Sequence, residues 1–350
     1  MKILFTGGGT MGPVTPLLAV YGALKKIDLA IEGVWIGTRH GPERVVVEAA
    51  GFRFYDLPVV RCVRSVSVEW LLFPFRFFCA LYKAAQIIRR EKPDVVGSAG
   101  GYTAVPVVLA AKLFHVPAWV HSQDVEVTLT TRLTAPLSDR LTIAWQQSAR
   151  ELGSRAHVVG NPVRHSILLG SKERAQERFS LDAHKPTVVI FGGGTGAAWL
   201  NAMTGEIVER LLVRASVIHI TGTGKRVSRP PLKHYAVREF LREEMADAFA
   251  AADVVVCRAG MGTITELAAL SKAAILLPLP NSAQEKNAAA VEDACVVLDQ
   301  RTTSSDELLR TIVNLLEDEQ RRRELGQKMH SKLKTNVADE LAVMLQGMIK

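Results

Sequence analysis

The residues with the most chemistry to offer lie between Asp253 and Leu270, in the stretch DVVVCRAGMGTITELAAL. Val254-Val255-Val256 reads as a buried parallel strand, Arg258-Ala259-Gly260-Met261-Gly262 as a turn, and the residues from Thr263 onward as an apolar-periodic helix. A strand, a phosphate-sized loop and a helix start in succession leave backbone N–H groups unpaired in the first helical turn. With the helix dipole, they favour an anion at that spot. Glu266, one turn further in, is placed to accept hydrogen bonds from neutral hydroxyls such as the vicinal diol of a ribose. Alternatively it complements the positive helix end, and spacing alone leaves both readings open.

The elements that must hold such a site recur along the chain. Residues 2–6 (KILFT) form a buried-strand pattern followed by Gly7-Gly8-Gly9-Thr10-Met11-Gly12 and a helix over 16–25. Residues 187–191 (TVVIF) lead into Gly192-Gly193-Gly194-Thr195-Gly196-Ala197 and a second helix. Two strand-GGGT-helix units half a chain apart predict two doubly wound α/β domains, each with a glycine loop at the carboxyl edge of its sheet. Either loop could instead serve close helix-to-strand packing. Further strands are expected over 33–37, 52–57, 95–98, 118–121 and 141–143, then 216–221, 254–257 and 274–277, with a third glycine turn at 99–103.

Gly160-Asn161-Pro162 turns the chain out of the first domain, which gives boundaries of 1–162 and 163–335. The polar helix 172–179 is expected to bridge the two, and the amphipathic C-terminal segment, 336–350, to pack back on the first domain. Gly222-Thr223-Gly224-Lys225 lacks the spacing of a P-loop, which argues against an ATPase.

Composition narrows the class. The 350 residues suffice for two domains with their own cores, and an apolar share of 48% suits a water-soluble globular chain. A net charge of +8 points to an anionic partner, for which phosphorylated substrate, phospholipid and nucleic acid all qualify. No nucleic-acid-binding module is recognisable, so nucleic acid is set aside. Cys62, Cys79, Cys257 and Cys295 show no C-x-x-C spacing, which argues for a reducing compartment and against a zinc site or disulfide framework. The N-terminus lacks a signal-peptide pattern, and no stretch reaches the ~20 apolar residues of a spanning helix.

One patch is nonetheless suited to a lipid surface. Trp70, Leu71, Phe73, Phe75, Phe77 and Phe78 crowd a short span with Arg76, Lys83, Arg89 and Arg90 in or beside it. Aromatics entering the headgroup layer and cations meeting anionic lipid would dock such a segment. A buried core helix is the competing reading, but apolar residues cover too much of the segment's circumference for a single core stripe.

GGGTMGPVTP (7–16), GGYTAVP (100–106), VVGNPVR (158–164), GGGTGA (192–197), CRAGMGTITE (257–266) and QEKNA (284–288) stand in the order and spacing of the MurG family, which the chain resembles over about residues 1–300. The resemblance implies a GT-B fold of two Rossmann-like domains and an inverting transfer of N-acetylglucosamine from UDP-GlcNAc to a lipid-linked muramoyl-pentapeptide, in peptidoglycan synthesis. It implies a peripheral enzyme on the cytoplasmic face of the cell membrane, with no cofactor and no metal. Glu266 would hold the ribose, backbone near Leu241 the uracil, and Arg164 with Gly193, Gly194 and Thr195 the diphosphate. Gln284 and Asn287 would lie beside the ribose and the transferred sugar, with backbone around Met261 and Gly262 facing the sugar, though as isolated residues Gln284 and Asn287 read better as helix caps or solvated surface. Thr10 and Gly12 of the first loop count among the substrate-binding positions.

Three departures from the family pattern bear on catalysis. The first loop reads Met11-Gly12-Pro13 where the family has Gly-Gly-His, and the family's His-Glu-Gln-Asn is His121-Ser122-Gln123-Asp124. A pair of glutamines is replaced by Ala283-Gln284. Inverting transfer needs a base for the acceptor hydroxyl, and His121 and Asp124 remain as candidates, or as partners in a structural polar network. A GT-B transferase with another lipid acceptor and a non-catalytic UDP-sugar-binding membrane protein are the alternatives these departures leave.

Overall fold

The computed structural model describes residues 1–59, 69–194, 196–225 and 231–349, with the backbone alone over 69–72. The chain divides into two compact units, residues 1–162 with 336–350, and residues 163–335.

In the first unit, β1 (Lys2–Thr6), β2 (Glu32–Thr38), β3 (Arg53–Leu57), β4 (Val95–Ser98), β5 (Ala118–Ser122), β6 (Arg140–Ile143) and β7 (Ala156–Val158) form a sheet of order β3-β2-β1-β4-β5-β6-β7. Every pairing is parallel. The winding reverses between β1 and β4, where Ile3 pairs with Val95, so the loops after these strands open side by side. Parallel strands must be covered on both faces, which is why they read as continuous apolar runs. On one face Leu4, Val34, Val96 and Val120 pack with Ala84, Ile87 and Ile88 of helix Glu69–Glu91. On the other, Ile3, Phe5, Trp35 and Trp119 meet Leu17 and Leu24 of helix Thr15–Ile27, together with Leu341 and Leu345 of helix Ala338–Gln346. The C-terminal helix is thereby part of the first unit's core.

The second unit repeats the plan. β8 (Thr187–Phe191), β9 (Ser216–Ile220), β10 (Tyr235–Arg238), β11 (Val254–Cys257), β12 (Ala274–Leu276) and β13 (Val296–Val297) pair in parallel in the order β10-β9-β8-β11-β12-β13. Its reversal lies between β8 and β11, so Gly192–Gly196 and Arg258–Gly260 share one edge. Helix Lys172–Phe179 belongs to this unit and is not the bridge expected of it. Its Ala175 and Phe179 are buried, and the Arg174 guanidinium donates to Asp247 Oδ1 at 2.7 Å on helix Glu244–Ala251. The misreading came from its polar composition, since two apolar side chains are enough to dock a helix this short.

Helix Glu69–Glu91 serves two surfaces. Its C-terminal half buries Ala80, Ala84, Ile87 and Ile88, while Phe73, Phe75, Phe78 and Tyr82 stand 43%, 69%, 65% and 67% exposed. The side chains of Trp70 and Leu71 lie outside the described residues. Among the described residues no helix is long and apolar enough to cross a membrane.

Candidate active site

The second unit's edge is built around an open helix start. Gly260 precedes helix Met261–Ala269 without any side-chain cap, so the first N–H groups of that helix keep their capacity for an anion. Met261 is buried while Gly262 is half-buried, which leaves backbone as the exposed chemistry here. Asn287, itself buried, donates from Nδ2 to the Ala259 carbonyl at 3.3 Å and so fixes the turn from below. Arg258 is buried alongside, donating to the Leu277 carbonyl at 2.9 Å and to Gln300, with its guanidinium 5.9 Å from the Trp199 ring centroid. Its hydrogen-bond acceptors are two backbone carbonyls and the Gln300 amide, and burial pushes its pKa down.

Glu266 and Arg164 meet directly. Arg164 donates from Nη2 at 2.6 Å and from Nε at 3.2 Å, both to Glu266 Oε1. Glu266 is buried and Arg164 half-buried, so this is a shielded charge pair at the mouth of the glycine turn. Beside it, Gly192–Gly196 follows β8. A Cβ on Gly196 would lie 2.1 Å from the Thr221 carbonyl oxygen, and its φ of +67° also demands glycine. Lys225 Nζ donates to the Gly196 carbonyl at 3.1 Å. Gly193 and Gly194 are half-buried on the same loop; Thr195 lies outside the described residues. Beneath, Asn201 Nδ2 donates to the Thr221 carbonyl at 2.9 Å, and His219 joins Asn201 Oδ1 at 3.0 Å to the Tyr235 hydroxyl at 2.8 Å. Burial lowers the His219 pKa to about 4, so the ring is neutral at pH 7.

Of the other donor-side positions, Leu241 is buried, and Gln284 has a local task, with Oε1 accepting the Leu279 N–H at 3.0 Å. That bond ties the opening of helix Ala283–Ala289 to the backbone five residues earlier.

The first unit's edge is built differently. Its glycine loop rests on Glu43, which is fully buried. Glu43 Oε1 accepts the Thr38 N–H at 2.6 Å and the Thr38 hydroxyl at 2.5 Å, while Oε2 accepts the Gly9 N–H at 3.2 Å. Sequence reasoning missed this residue, whose only signal is an acid just after Pro42 at a helix opening. Gly9 has φ +84°, and a Cβ there would meet the Tyr102 ring at 2.5 Å, so the loops after β1 and β4 are in contact. Thr10 is exposed and Gly12 half-buried.

His121 and Asp124 part company. His121 is buried, with Nδ1 2.9 Å from Thr142 Oγ1 and Nε2 2.9 Å from Asn161 Oδ1. Trp119 Nε1 also donates to that threonine hydroxyl, at 2.8 Å. Burial lowers the His121 pKa to about 4 against a weaker opposing effect of Asn161. A proton carrier needs a nitrogen within reach of substrate, and both here are engaged in the interior. Asp124 is half-buried in the loop after β5, its backbone carbonyl accepting from the Ser148 hydroxyl at 3.3 Å.

Two doubly wound parallel-sheet units, each gathering glycine loops at a topological switch point, make up a fold of the GT-B type. Residues 3–143 match the glycosyltransferase family 28 N-terminal domain and residues 187–341 the C-terminal domain of the same family. The UDP-N-acetylglucosamine--N-acetylmuramyl-(pentapeptide) pyrophosphoryl-undecaprenol N-acetylglucosamine transferase of Clostridium botulinum (strain Kyoto / Type A2) is 33% identical over 325 residues, 91% of each chain. Its counterpart in Clostridium perfringens (strain SM101 / Type A) is 32% identical over 90% of each chain. The crystal structure of Acinetobacter baumannii MurG superposes with a TM-score of 0.70, at 25% identity over 99% of both chains. A UDP-GlcNAc 2-epimerase from Neisseria meningitidis, solved with UDP-GlcNAc bound, shares the fold at a TM-score of 0.69 and 15% identity, over 99% of this chain and all of that one. The chain belongs to the MurG group of glycosyltransferase family 28.

Proposed function

We propose that this chain is an inverting hexosyltransferase that moves N-acetylglucosamine from UDP-GlcNAc to a lipid-linked muramoyl-pentapeptide, the step that completes the disaccharide of the peptidoglycan precursor. The relatives carry that activity in their names. The observation that carries the reading to this chain's own residues is the Arg164–Glu266 pair at the uncapped start of helix Met261–Ala269. In the free protein the two charges satisfy each other. With the nucleotide bound, Glu266 accepts from the ribose hydroxyls and Arg164 turns to the diphosphate, joined there by the N–H groups of Met261, Gly262 and the Gly193-Gly194-Thr195 loop. These donors take up the negative charge that grows on the departing UDP. Leu241 backbone meets the uracil, with Gln284 and Asn287 beside the ribose and sugar.

Asp124 removes the proton of the acceptor hydroxyl as it attacks the anomeric carbon. The bond to the diphosphate oxygen breaks and configuration inverts. His121 acts through Thr142 and Asn161 to hold the β5 and β6 ends in place, and Thr10 and Gly12 line the approach. The exposed ring set Phe73, Phe75 and Phe78, with Phe77 at half burial, docks the first unit on anionic lipid at the cytoplasmic face, where the acceptor's lipid is anchored.

The test is turnover of UDP-GlcNAc with a lipid-linked muramoyl-pentapeptide, read as UDP release and disaccharide formation. Donor binding by calorimetry without turnover would favour a non-catalytic sugar-nucleotide binder, and turnover confined to another lipid-linked sugar would reassign the acceptor.

A further inference from the structure

Two side-chain polar atoms of the first unit are buried without a hydrogen-bond partner among the described residues, Trp145 Nε1 and Gln123 Oε1, and the second lies beside the glycine loop after β1. Gln123 follows β5 directly, is 6% exposed, and its Oε1 has no hydrogen-bond partner among the described residues. Leaving such an oxygen unpaired in the interior is costly, so a native protein that keeps one generally has a use for it. The amide is not lost in the core. A Cβ placed on Gly12 would stand 3.7 Å from Gln123 Nε2 and 3.6 Å from Thr10 Oγ1, and Gly12 is half-buried while Thr10 is exposed. The amide end therefore sits immediately under the glycine loop, with Nε2 next to the space that a side chain at position 12 would fill. The third loop of this edge closes the same corner, since a Cβ on Gly101 would lie 2.9 Å from Gly8 N.

We infer that Gln123 is a specificity-determining residue that pairs with the acetamido group of a 2-acetamido sugar. A side-chain amide offers an acceptor and a donor in one plane, which is the complement of another amide: Oε1 takes the substrate N–H and Nε2 meets its carbonyl. Because the two ends of a glutamine amide exchange by a flip, either orientation of the incoming group is met. A lone hydroxyl would use half of this capacity. The inference rests on the proposed transfer reaction, in which both the donor sugar and the muramoyl acceptor carry an acetamido group. Gln123 belongs to the unit assigned to the acceptor, so the muramoyl acetamido group is the expected partner.

The experiment compares wild type with Gln123→Met, close in volume but unable to accept, and Gln123→Glu, which restores acceptor oxygens. Each is assayed with the N-acetylated acceptor and with an acceptor carrying hydroxyl in place of acetamido, and in parallel with UDP-GlcNAc and UDP-glucose. Gln123→Met should raise KM for the N-acetylated acceptor roughly tenfold while changing that of the hydroxyl analogue little, so that the preference collapses. Gln123→Glu should recover part of it, and donor KM should hold. Collapse on the donor pair would move the contact to the transferred sugar, overturning the acceptor assignment while keeping the acetamido contact. Equal losses on acetamido and hydroxyl substrates, with a lowered Tm, would overturn the inference in favour of a packing role, as would an undiminished preference. Absence of turnover by wild type with the muramoyl acceptor would instead strike the proposed function, and this inference with it.

Discussion

The glycine loop after β1 and the glycine turn after β11 differ in the carboxylate that stands beside them. In the first unit the Gly9 N–H donates to the buried carboxylate of Glu43, which Thr38 also grips with its N–H and hydroxyl. That loop has its anion built in. Neither helix Thr15–Ile27 nor helix Met261–Ala269 begins with a side-chain cap, but in the second unit the nearby carboxylate, Glu266, is held by Arg164 and not by the loop. On the proposed function, a diphosphate would compete with an internal carboxylate at the first edge, and at the second would meet a helix start and an arginine already paired with Glu266. The first edge is correspondingly freer to present neutral and acid-base chemistry, through Gln123 and Asp124.

The comparison breaks most sharply at Asp124. If the first edge supplies the base and the second the leaving-group donors, Asp124→Asn should lower kcat by about 10²–10⁴-fold and leave UDP-GlcNAc affinity in calorimetry unchanged. A normal rate would remove it from the reaction.

Acid should act on both units alike, which sharpens the contrast by exclusion. His121 and His219 are each held neutral with pKa values pushed down to about 4 by burial. In the unfolded chain each titrates near 6.5. Between these values the unfolded chain binds more protons, so stability is complete above about pH 6.5 and falls as pH drops toward 4, by on the order of 3 kcal/mol per histidine. Urea unfolding from pH 7.5 to 4.5 reads this directly, and His219→Gln should flatten the slope of the second unit's transition alone. A pH-independent midpoint would contradict the buried networks.

Next in size is Glu266. Glu266→Ala should weaken UDP-GlcNAc binding by about 1–3 kcal/mol through loss of the ribose hydrogen bonds. The net change includes a compensation, because Arg164 no longer has to leave a partner before it meets the diphosphate. Affinity for free pyrophosphate should then hold or rise in the variant while affinity for UDP falls. Parallel losses for both ligands would assign Glu266 to loop structure and not to ribose.

How much of this could be read from the chain follows from where each signal resides. The β-branched runs at Lys2–Thr6, Thr187–Phe191 and Val254–Cys257 announced themselves because a strand covered on both faces is apolar throughout, and the parallel α/β class followed from their alternation with helices. The edge strands β7, β10 and β13 did not, since Ala156–Val158 and Val296–Val297 are short and partly exposed, with no pattern to detect. Glu266 was legible as a polar residue near a glycine turn, but its bond to Arg164 joins residues 102 apart. Glu43 was invisible for the same reason: what makes it important is the Gly9 N–H, 34 residues earlier. His121 stood out as a titratable group, yet only Thr142 and Asn161, from β6 and the turn after β7, reveal that both its nitrogens are occupied. Local periodicity encodes elements, whereas polar partnership is set by which loops the topology gathers at one edge.

The smallest effect tests what the first unit does besides chemistry. Phe75 and Phe78 are 69% and 65% exposed on helix Glu69–Glu91, whose other face is anchored by Ala84, Ile87 and Ile88. Because the rings already face outward, replacing one by serine removes little core packing and should barely move Tm. Insertion of a ring into the headgroup layer would bury the part now in water, contributing about 1–2 kcal/mol to membrane partitioning. Phe75→Ser and Phe78→Ser should each therefore lower co-sedimentation with phosphatidylglycerol vesicles about five- to thirtyfold, with UDP-GlcNAc affinity intact. The second unit supplies the control, since Val213→Ser, at an equally outward apolar side chain that is 72% exposed, should leave vesicle binding as it was. Equal losses from both units would mean that vesicles sense general surface hydrophobicity. A fall in Tm on Phe75→Ser would mean that the ring belongs to the fold and not to a docking face.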